Sequence, residues 1–244
     1  FQIEMDIFQE IQNRAIDYKQ VIDSCQTNFA PIDFDVDISI IVPVCGRTEF
    51  NKVLCNHFKR AIIRNSSSQY SIITLTIVEH SDTPQHINLC DHWVNHVWIP
   101  KNGKPFNKCL AHNVGAILTK NANCFLFHDV DILVPEDYFD KLLNNFTGYN
   151  ALQTFTQRRL QLCDQWLTNE LLQGNVTMNN IVGLSSHYHS AQPGAMGGSI
   201  FLTKELFFKT TFCPEIFVEY GLEDAFFWQC INETGKLGTC DYPP

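Results

Sequence analysis

The sequence predicts a largely parallel α/β fold, an open Rossmann-like sheet flanked by helices, with a helical extension at its N-terminus. Three observations carry this expectation. From residue 38 onward, β-branched and apolar runs suited to buried strands alternate with helix-periodic segments. Polar clusters follow three of those runs, at the strand ends where open parallel sheets hold their ligands. The chain has 244 residues with 45% hydrophobic and 18% charged content, which suits one sizeable core better than two.

Residues 3–22 place Ile3, Ile7, Ile11, Ala15, Tyr18 and Ile22 at three- and four-residue steps, the pattern of an amphipathic helix packing on the main domain or on a partner. Residues 23–36, with Pro31, Asp33 and Asp35, read as a linker. The expected division is therefore an extension over 1–36 and a main domain over 37–244.

Ile38 to Val44 is a β-branched run of the kind buried on both faces. Cys45-Gly46-Arg47 turns the chain, and Thr48 can cap a helix to about Arg64 with Val53, Leu54, Phe58, Ala61 and Ile62 on its apolar face. Ile72 to Val78 is the second strand, followed by a polar loop, Glu79 to Asp82. Val94 to Ile99 is a short third strand, and Asn107 to Leu118 a helix. The run Cys124 to His128 is the next strand, and a helix from about Glu136 to Asn145 follows Pro135. Ala151 to Thr156 is a further strand. Residues 157–192 are polar and weakly patterned, with a helix near 162–172; such insertions often bind substrate or act as lids. Gly197 to Thr203 is a strand entered through two glycines, and Lys204 to Thr210 begins a helix. A last helix carries Glu223 and Asp224 at its start, where the macrodipole favours carboxylates, and Phe226, Phe227 and Trp228 as core.

The chemistry concentrates at Asp129-Val130-Asp131. Alternate residues of an extended chain point the same way, so both carboxylates project together if strand geometry persists past His128. Two such carboxylates repel unless a cation sits between them, and a hard divalent ion, Mg²⁺ or Mn²⁺, takes oxygen ligands and tolerates phosphate as a co-ligand. The other reading is a solvated polar strand end. The Pro43–Arg47 turn and the Glu79–Asp82 loop fall on the same rim, which favours a metal–diphosphate site.

Bulk properties exclude some classes. The formal net charge of −9 argues against nonspecific nucleic-acid binding. No apolar run approaches the roughly 18 residues of a membrane span. Ten cysteines include no C-x-x-C pair, against structural zinc; Cys45, Cys124 and Cys230 fall in or beside core elements. N-x-S/T sequons stand at Asn65, Asn145, Asn175 and Asn232. Phe1-Gln2-Ile3-Glu4-Met5 has no signal-peptide pattern and no initiating Met. The compartment is the Golgi or secretory lumen if an anchor lies upstream, and the cytoplasm otherwise.

Several segments, in order, resemble one family. Ile40 to Arg47 looks like its nucleotide-binding first strand and arginine turn; Pro105-Phe106-Asn107-Lys108 with Asn113-Val114-Gly115 like its second donor segment; Phe127 to Asp131 like its metal motif; and Gly197-Gly198-Ser199 with Tyr220-Gly221-Leu222-Glu223-Asp224 like its acceptor-side stretch. The family is the β-1,4-galactosyltransferase-like group of inverting GT-A glycosyltransferases, neighbours of the chondroitin-type synthases, and the likeness covers roughly 38–235. It implies a GT-A fold and Mn²⁺-dependent (or Mg²⁺-dependent) transfer of a hexose or N-acetylhexosamine from a UDP-sugar to a hydroxyl of a glycan or glycoprotein acceptor, with inversion.

By this resemblance Asp131 is the metal ligand with Asp129 beside it, Asp129 also contacting the donor. Arg47 and Lys108 meet the diphosphate or uridine. Pro43, Val44, Glu79, Phe106, Asn107, Val130, Gly198 and Tyr220 line the nucleotide-sugar site, Glu223 holds the donor sugar, and Asp224 is the base. There are departures. Tyr220-Gly221-Leu222 stands where the family has an aromatic-Gly-Gly, and Ala225 where a third acidic residue is common. The family places a His ligand after Glu-Asp, whereas the last histidine here is His189. The alternative is a non-catalytic domain of the same fold that binds nucleotide-sugar or glycan. A nucleotidyltransferase would need a richer glycine and basic turn than Gly46-Arg47. His187-Tyr188-His189 reads as a polar or acceptor-facing loop, His80 and His128 as hydrogen-bonded structural residues beside the donor site, and Arg158-Arg159 as a solvated pair.

Overall fold

The computed structural model describes residues 16–29, 36–65, 72–86, 93–135, 137–154, 161–177, 180–190, 198–210, 212, 217 and 222–239. In chain order these form α1 (Tyr18–Ser24), β1 (Gln26–Asn28), β2 (Val36–Val44), α2 (Thr48–Asn65), β3 (Ile73–Ser81), β4 (Val94–Pro100), α3 (Lys108–Leu118), β5 (Ala122–His128) and α4 (Tyr138–Phe146). They continue with β6 (Ala151–Gln153), β7 (Gln161–Cys163), α5 (Gln165–Gln173), a 3₁₀ turn (Ile181–His187), β8 (Tyr188–Ser190), β9 (Ser199–Thr203), α6 (Lys204–Thr210), α7 (Glu223–Thr234) and β10 (Leu237–Thr239).

An eight-stranded mixed sheet runs in the order β1-β4-β3-β2-β5-β9-β6-β10, and β7-β8 form a separate two-stranded antiparallel sheet. β4, β3, β2 and β5 are mutually parallel. β9 inserts antiparallel between β5 and β6. The chain moves outward from β2 to β4 and then returns to place β5 on the other side of β2. The carboxyl ends of β2 and β5 therefore flank the switch point of the sheet, the crevice where such folds bind ligands.

Both sheet faces are covered, which is why β2 and β3 are buried almost throughout. Ile38, Ile40, Val42 and Val44 point to one layer with Leu54 and Phe58 of α2 and Phe139 and Leu142 of α4. Ile41 and Phe127 face the other, with Val114 of α3, Phe207 of α6 and Phe227 of α7. α3 lies close on this face because Gly115 has no side chain. A Cβ there would fall 2.6 Å from Ile41 Cγ2 and 2.9 Å from Val78 Cγ2.

The segment expected as a linker contributes β1, an edge strand antiparallel to β4 at His96, Val97 and Trp98. Its three residues are all exposed, so no hydrophobic alternation marked it; pairing with the open edge of β4 holds it. The expected helix over 3–22 does not run through Ile16 and Asp17: α1 begins at Tyr18, behind the N-cap Asp17, whose Oδ1 accepts from the Gln20 N–H at 3.2 Å. α1 is tied to α3 by Asn113 Nδ2 donating to the Tyr18 hydroxyl at 2.6 Å. Residues 3–15 lie outside the described residues.

Buried histidines pin the loops at the rim. His128 accepts from Ser199 Oγ at Nδ1 (2.9 Å) and donates from Nε2 to the Ile132 carbonyl (3.0 Å), which fixes the turn after β5. His80 Nδ1 accepts the Asn107 backbone N–H at 3.0 Å and so locates the start of α3. Both roles need a neutral ring. Burial, with Lys101 adding to it at His80, pushes each pKa down to about 4. The described part of the sequence reading holds here: both are hydrogen-bonded structural histidines.

Two outcomes follow from this packing. Gly115→Val forces α3 off β2 and β3 and lowers unfolding free energy by about 1–3 kcal/mol in urea denaturation. For His80 and His128 the unfolded chain binds more protons than the folded chain between about pH 6.5 and 4. Stability is then full above pH 6.5 and falls as pH drops towards 4, by on the order of 3 kcal/mol per histidine. Urea midpoints measured from pH 7 to pH 4 should fall less steeply in a His80→Gln, His128→Gln variant.

Candidate active site at the sheet switch point

The rim is built from the β2–α2, β4–α3 and β5–α4 connections, the loop after β3 and the start of α7. After β2, Gly46 (φ 68°) and Arg47 (φ 57°) both take left-handed conformations before α2 begins, a tight turn that glycine eases and arginine must bear. The turn is held from below. His86 donates from Nε2 to the Gly46 carbonyl at 3.0 Å and accepts from Asn51 Nδ2 at 2.9 Å. The backbone N–H groups of Gln85 and His86 in turn donate to Glu79 (2.8 and 3.2 Å). Ser81 Oγ and His96 Nε2 add donors at 2.7 and 3.0 Å. Burial alone would raise the Glu79 pKa; the bonds from His96, Ser81 and Gln85 outweigh it and keep the carboxylate below its ordinary range. Glu79 is wholly buried and occupied by its own loop, so it acts on the rim through His86 and Gly46.

The strand geometry does not persist through Asp129-Val130-Asp131. The Asp129 N–H extends the β5–β9 ladder by one bond, to the Gly198 carbonyl at 2.8 Å, and then the Ile132 N–H donates back to the Asp129 carbonyl at 3.2 Å. That turn separates the two carboxylates. Asp131 swings to Arg47 Nη1 at 2.5 Å, across the switch point between β2 and β5. Asp129 stays on the α3 face and meets Lys108 Nζ at 2.9 Å. Val130 is buried. The turn fits only because residue 198 is glycine: φ is +102°, and a Cβ would stand 2.2 Å from Ile132 Cδ1.

Lys108 is the first residue of α3, behind the N-cap Asn107, whose Oδ1 accepts from the Leu110 N–H at 2.8 Å. Its ammonium lies 3.3 Å from Asp224 and 3.8 Å from Glu223, both in the first turn of α7. Burial would lower the Lys108 pKa, but Asp129, Asp224 and Glu223 outweigh it and raise the pKa well above the usual lysine value. Asp224 moves the other way from a free carboxylate: burial raises its pKa, Lys108 opposes this, and Asp129 and Glu223 add to it. α7 opens without a side-chain cap from Leu222, which has φ 61° and is 79% exposed. The macrodipole at this helix start supports both carboxylates.

The structure thus brings Lys108, Asp129, Glu223 and Asp224 into one cluster, sets Arg47 with Asp131 beside it, and backs it with Gly198. Pro43 and Val44 are buried at the end of β2. Phe106 is half-buried, its ring 6.0 Å from that of His80, and Asn107 is buried. Tyr220, Gly197 and Arg158-Arg159 lie outside the described residues. The sequence reading did not find Lys108 as the shared counter-ion, His86 as the link to the arginine turn, or Ile132 as the residue that demands glycine at 198; none has a local pattern. His187 is committed to Asp164, at 2.8 Å.

The four-residue cluster carries a formal excess of negative charge, and Asp131 is 42% exposed at its side chain. Among the described residues no group of three or more His, Cys, Asp or Glu side chains forms a ready metal cage. The donors present fit a hard ion held by one or two carboxylates and by substrate phosphate oxygens.

No protein-family model matches the sequence, and no curated protein matches it at a significant level. Solved structures do. The catalytic domain of Drosophila β1,4-galactosyltransferase 7, in complex with xylobiose, superposes with TM-score 0.55 at 15% identity, over 85% of this chain and 66% of that one. S. aureus TarS gives TM-score 0.56 at 11% identity, over 85% and 59%. The mannosyltransferase PcManGT from Pyrobaculum calidifontis, with GDP-Man and Mn²⁺, gives 0.50 at 13%, over 93% and 60%. The chain spans about three-fifths to two-thirds of the length of these proteins. The likeness establishes architecture: the mixed sheet flanked by helices is the GT-A fold.

Proposed function

We propose that this domain is an inverting glycosyltransferase that moves a hexose or N-acetylhexosamine from a UDP-sugar to a hydroxyl of a glycan acceptor. The observation that carries the reading is the convergence of Asp129, Glu223 and Asp224 on Lys108 at the sheet switch point. It joins the segment after β5, where a donor diphosphate would sit, to the start of α7, where a base would act.

Each residue has a role suited to its surroundings. Asp224 accepts the acceptor hydroxyl proton; a raised carboxyl pKa makes it the stronger base. Glu223 is buried behind it and orients the donor sugar by accepting hydroxyl hydrogen bonds. Lys108 keeps the cluster ionised and offers its remaining hydrogen-bonding capacity to the donor diphosphate. Arg47, on the exposed side of the crevice, does the same for the phosphates or the uridine, and Phe106 and Asn107 line the way to it. Asp131, the more exposed of the two, would hold Mn²⁺ or Mg²⁺ together with phosphate oxygens of the donor, while Asp129 is turned to Lys108. When bound, such an ion stabilises the charge left on the departing diphosphate.

UDP release from UDP-galactose, UDP-glucose and the UDP-N-acetylhexosamines, with Mn²⁺ and an acceptor panel, tests the reading. Asp224→Asn should lower kcat by about 10²–10⁴-fold with little change in donor KM. Absence of release from every donor would instead leave a binding module of the same fold, which thermal stabilisation by UDP and Mn²⁺ would still register.

Lys108→Met separates charge from chemistry. Without the ammonium nothing opposes the burial that raises the Asp224 pKa, so the penalty is full at high pH, shrinks as pH falls through the raised value and is gone by about pH 4. The expected deficit is up to about 3 kcal/mol at pH 8 and much smaller at pH 5, read from urea denaturation.

A further inference from the structure

The chain leaves the sheet after Thr154 and is back on it at Gly198, beside the candidate site. The Thr154 hydroxyl donates to the Ser199 carbonyl at 3.0 Å, and Gly198 pairs with Asp129. Within this insertion α5 packs on α2, the helix that follows Arg47, with Leu167 fully buried. Its neighbour Trp166 points outward and is 45% exposed, although tryptophan is among the costliest side chains to leave in water.

The indole is held rather than loose. One side leans on the His187 ring, with centroids 4.3 Å apart. His187 Nδ1 is fixed by Asp164 Oδ2 at 2.8 Å. The other oxygen of Asp164 caps α5 by accepting from the Leu167 N–H at 2.8 Å. Asp164 and His187 also pair through the backbone, at 2.7 Å. Beside the indole, Gln165 and Asn169 form an exposed amide pair, Nε2 to Oδ1 at 3.0 Å. A rigid aromatic face flanked by uncharged amides matches a pyranose. The ring's C–H face meets the negative π surface, and its hydroxyls meet amide donors and acceptors.

We propose that Trp166, braced by His187 and Asp164, is a stacking platform for a pyranose unit of the acceptor glycan. The assignment rests on the glycosyltransferase reading for its place in the reaction, but binding itself does not require turnover.

The test is a titration of the ¹⁵N-labelled protein, with and without UDP and Mn²⁺. The probes are the methyl β-glycosides of xylose, glucose, galactose, N-acetylglucosamine and N-acetylgalactosamine, and their disaccharides. The indole N–H resonance of Trp166, assigned by its loss in Trp166→Phe, should shift saturably with at least one probe. Trp166→Ala should weaken that probe about tenfold or more, the loss of one aromatic contact, and Trp166→Phe should weaken it less. Thermal stabilisation by UDP and Mn²⁺ should be unchanged in both variants, which also shows that they fold. An indole resonance unmoved by every probe, or Trp166→Ala binding as tightly as wild type, overturns the platform even where UDP binds. Saturable shifts without any nucleotide binding would overturn the donor reading and leave the platform standing.

Discussion

The site depends on one ammonium group. Lys108 is drawn on by carboxylates from two other elements, 21 and 116 residues away along the chain. At such separations each attraction is on the order of 4 kcal/mol at an effective dielectric near 20, before the cost of desolvation is set against it. Remove the cation, and Asp129, Glu223 and Asp224 are left as three mutually repelling charges in a partly buried crevice. Its presence lets α3, the end of β5 and the start of α7 meet on one face of the sheet. It also sets the electrostatics a substrate would encounter: a carboxylate cluster only partly neutralised, with Asp224 pushed toward basicity by its burial and, less, by Asp129 and Glu223.

Around this cluster the rim is rigid for reasons that are polar rather than apolar. The path from Glu79 through His86 to Gly46 fixes the arginine turn, and the path from Tyr138 through Ser199 and His128 to Ile132 fixes the turn after β5. Buried chains of this kind hold one arrangement because every alternative leaves a buried donor or acceptor unpaired. Preorganised turns of this kind suit recognition of a diphosphate whose geometry does not vary. The insertion between β6 and β9 has the opposite character: polar, locally tied, with a braced tryptophan facing out. On the proposed reading, a donor side on the sheet and an acceptor side on an insertion would let one fold serve many acceptors.

Much of the frame was legible in residues 38–154 and 198–234. The runs at Ile38–Val44 and Ile72–Val78 are apolar without alternation, and only a sheet covered on both faces buries such strands. Asn107 and the Glu223-Asp224 pair marked two helix starts that the structure places where expected. β1 and β10 were not legible, since three-residue edge strands are held by backbone pairing and carry no side-chain period. The small β7-β8 pair escaped for the same reason, although the helix beside it did not.

For the candidate site, Asp129 and Asp131 stood out by their own residues, and the family resemblance implied Arg47, Lys108, Glu223 and Asp224 beside them. What the sequence could not determine was who partners whom. Period-two alternation would have kept Asp129 and Asp131 together; the turn after β5, made possible by a glycine 69 positions later, parts them. Glu79 was expected to line the nucleotide-sugar site; in the structure its oxygens are taken by Ser81, Gln85, His86 and His96. Sequence alone determined which side chains gather at the carboxyl ends of the strands, because burial patterns follow from local periodicity. Tertiary structure decided their pairing, because charge and hydrogen-bond partners are chosen by distances that close only when segments far apart in the chain have packed.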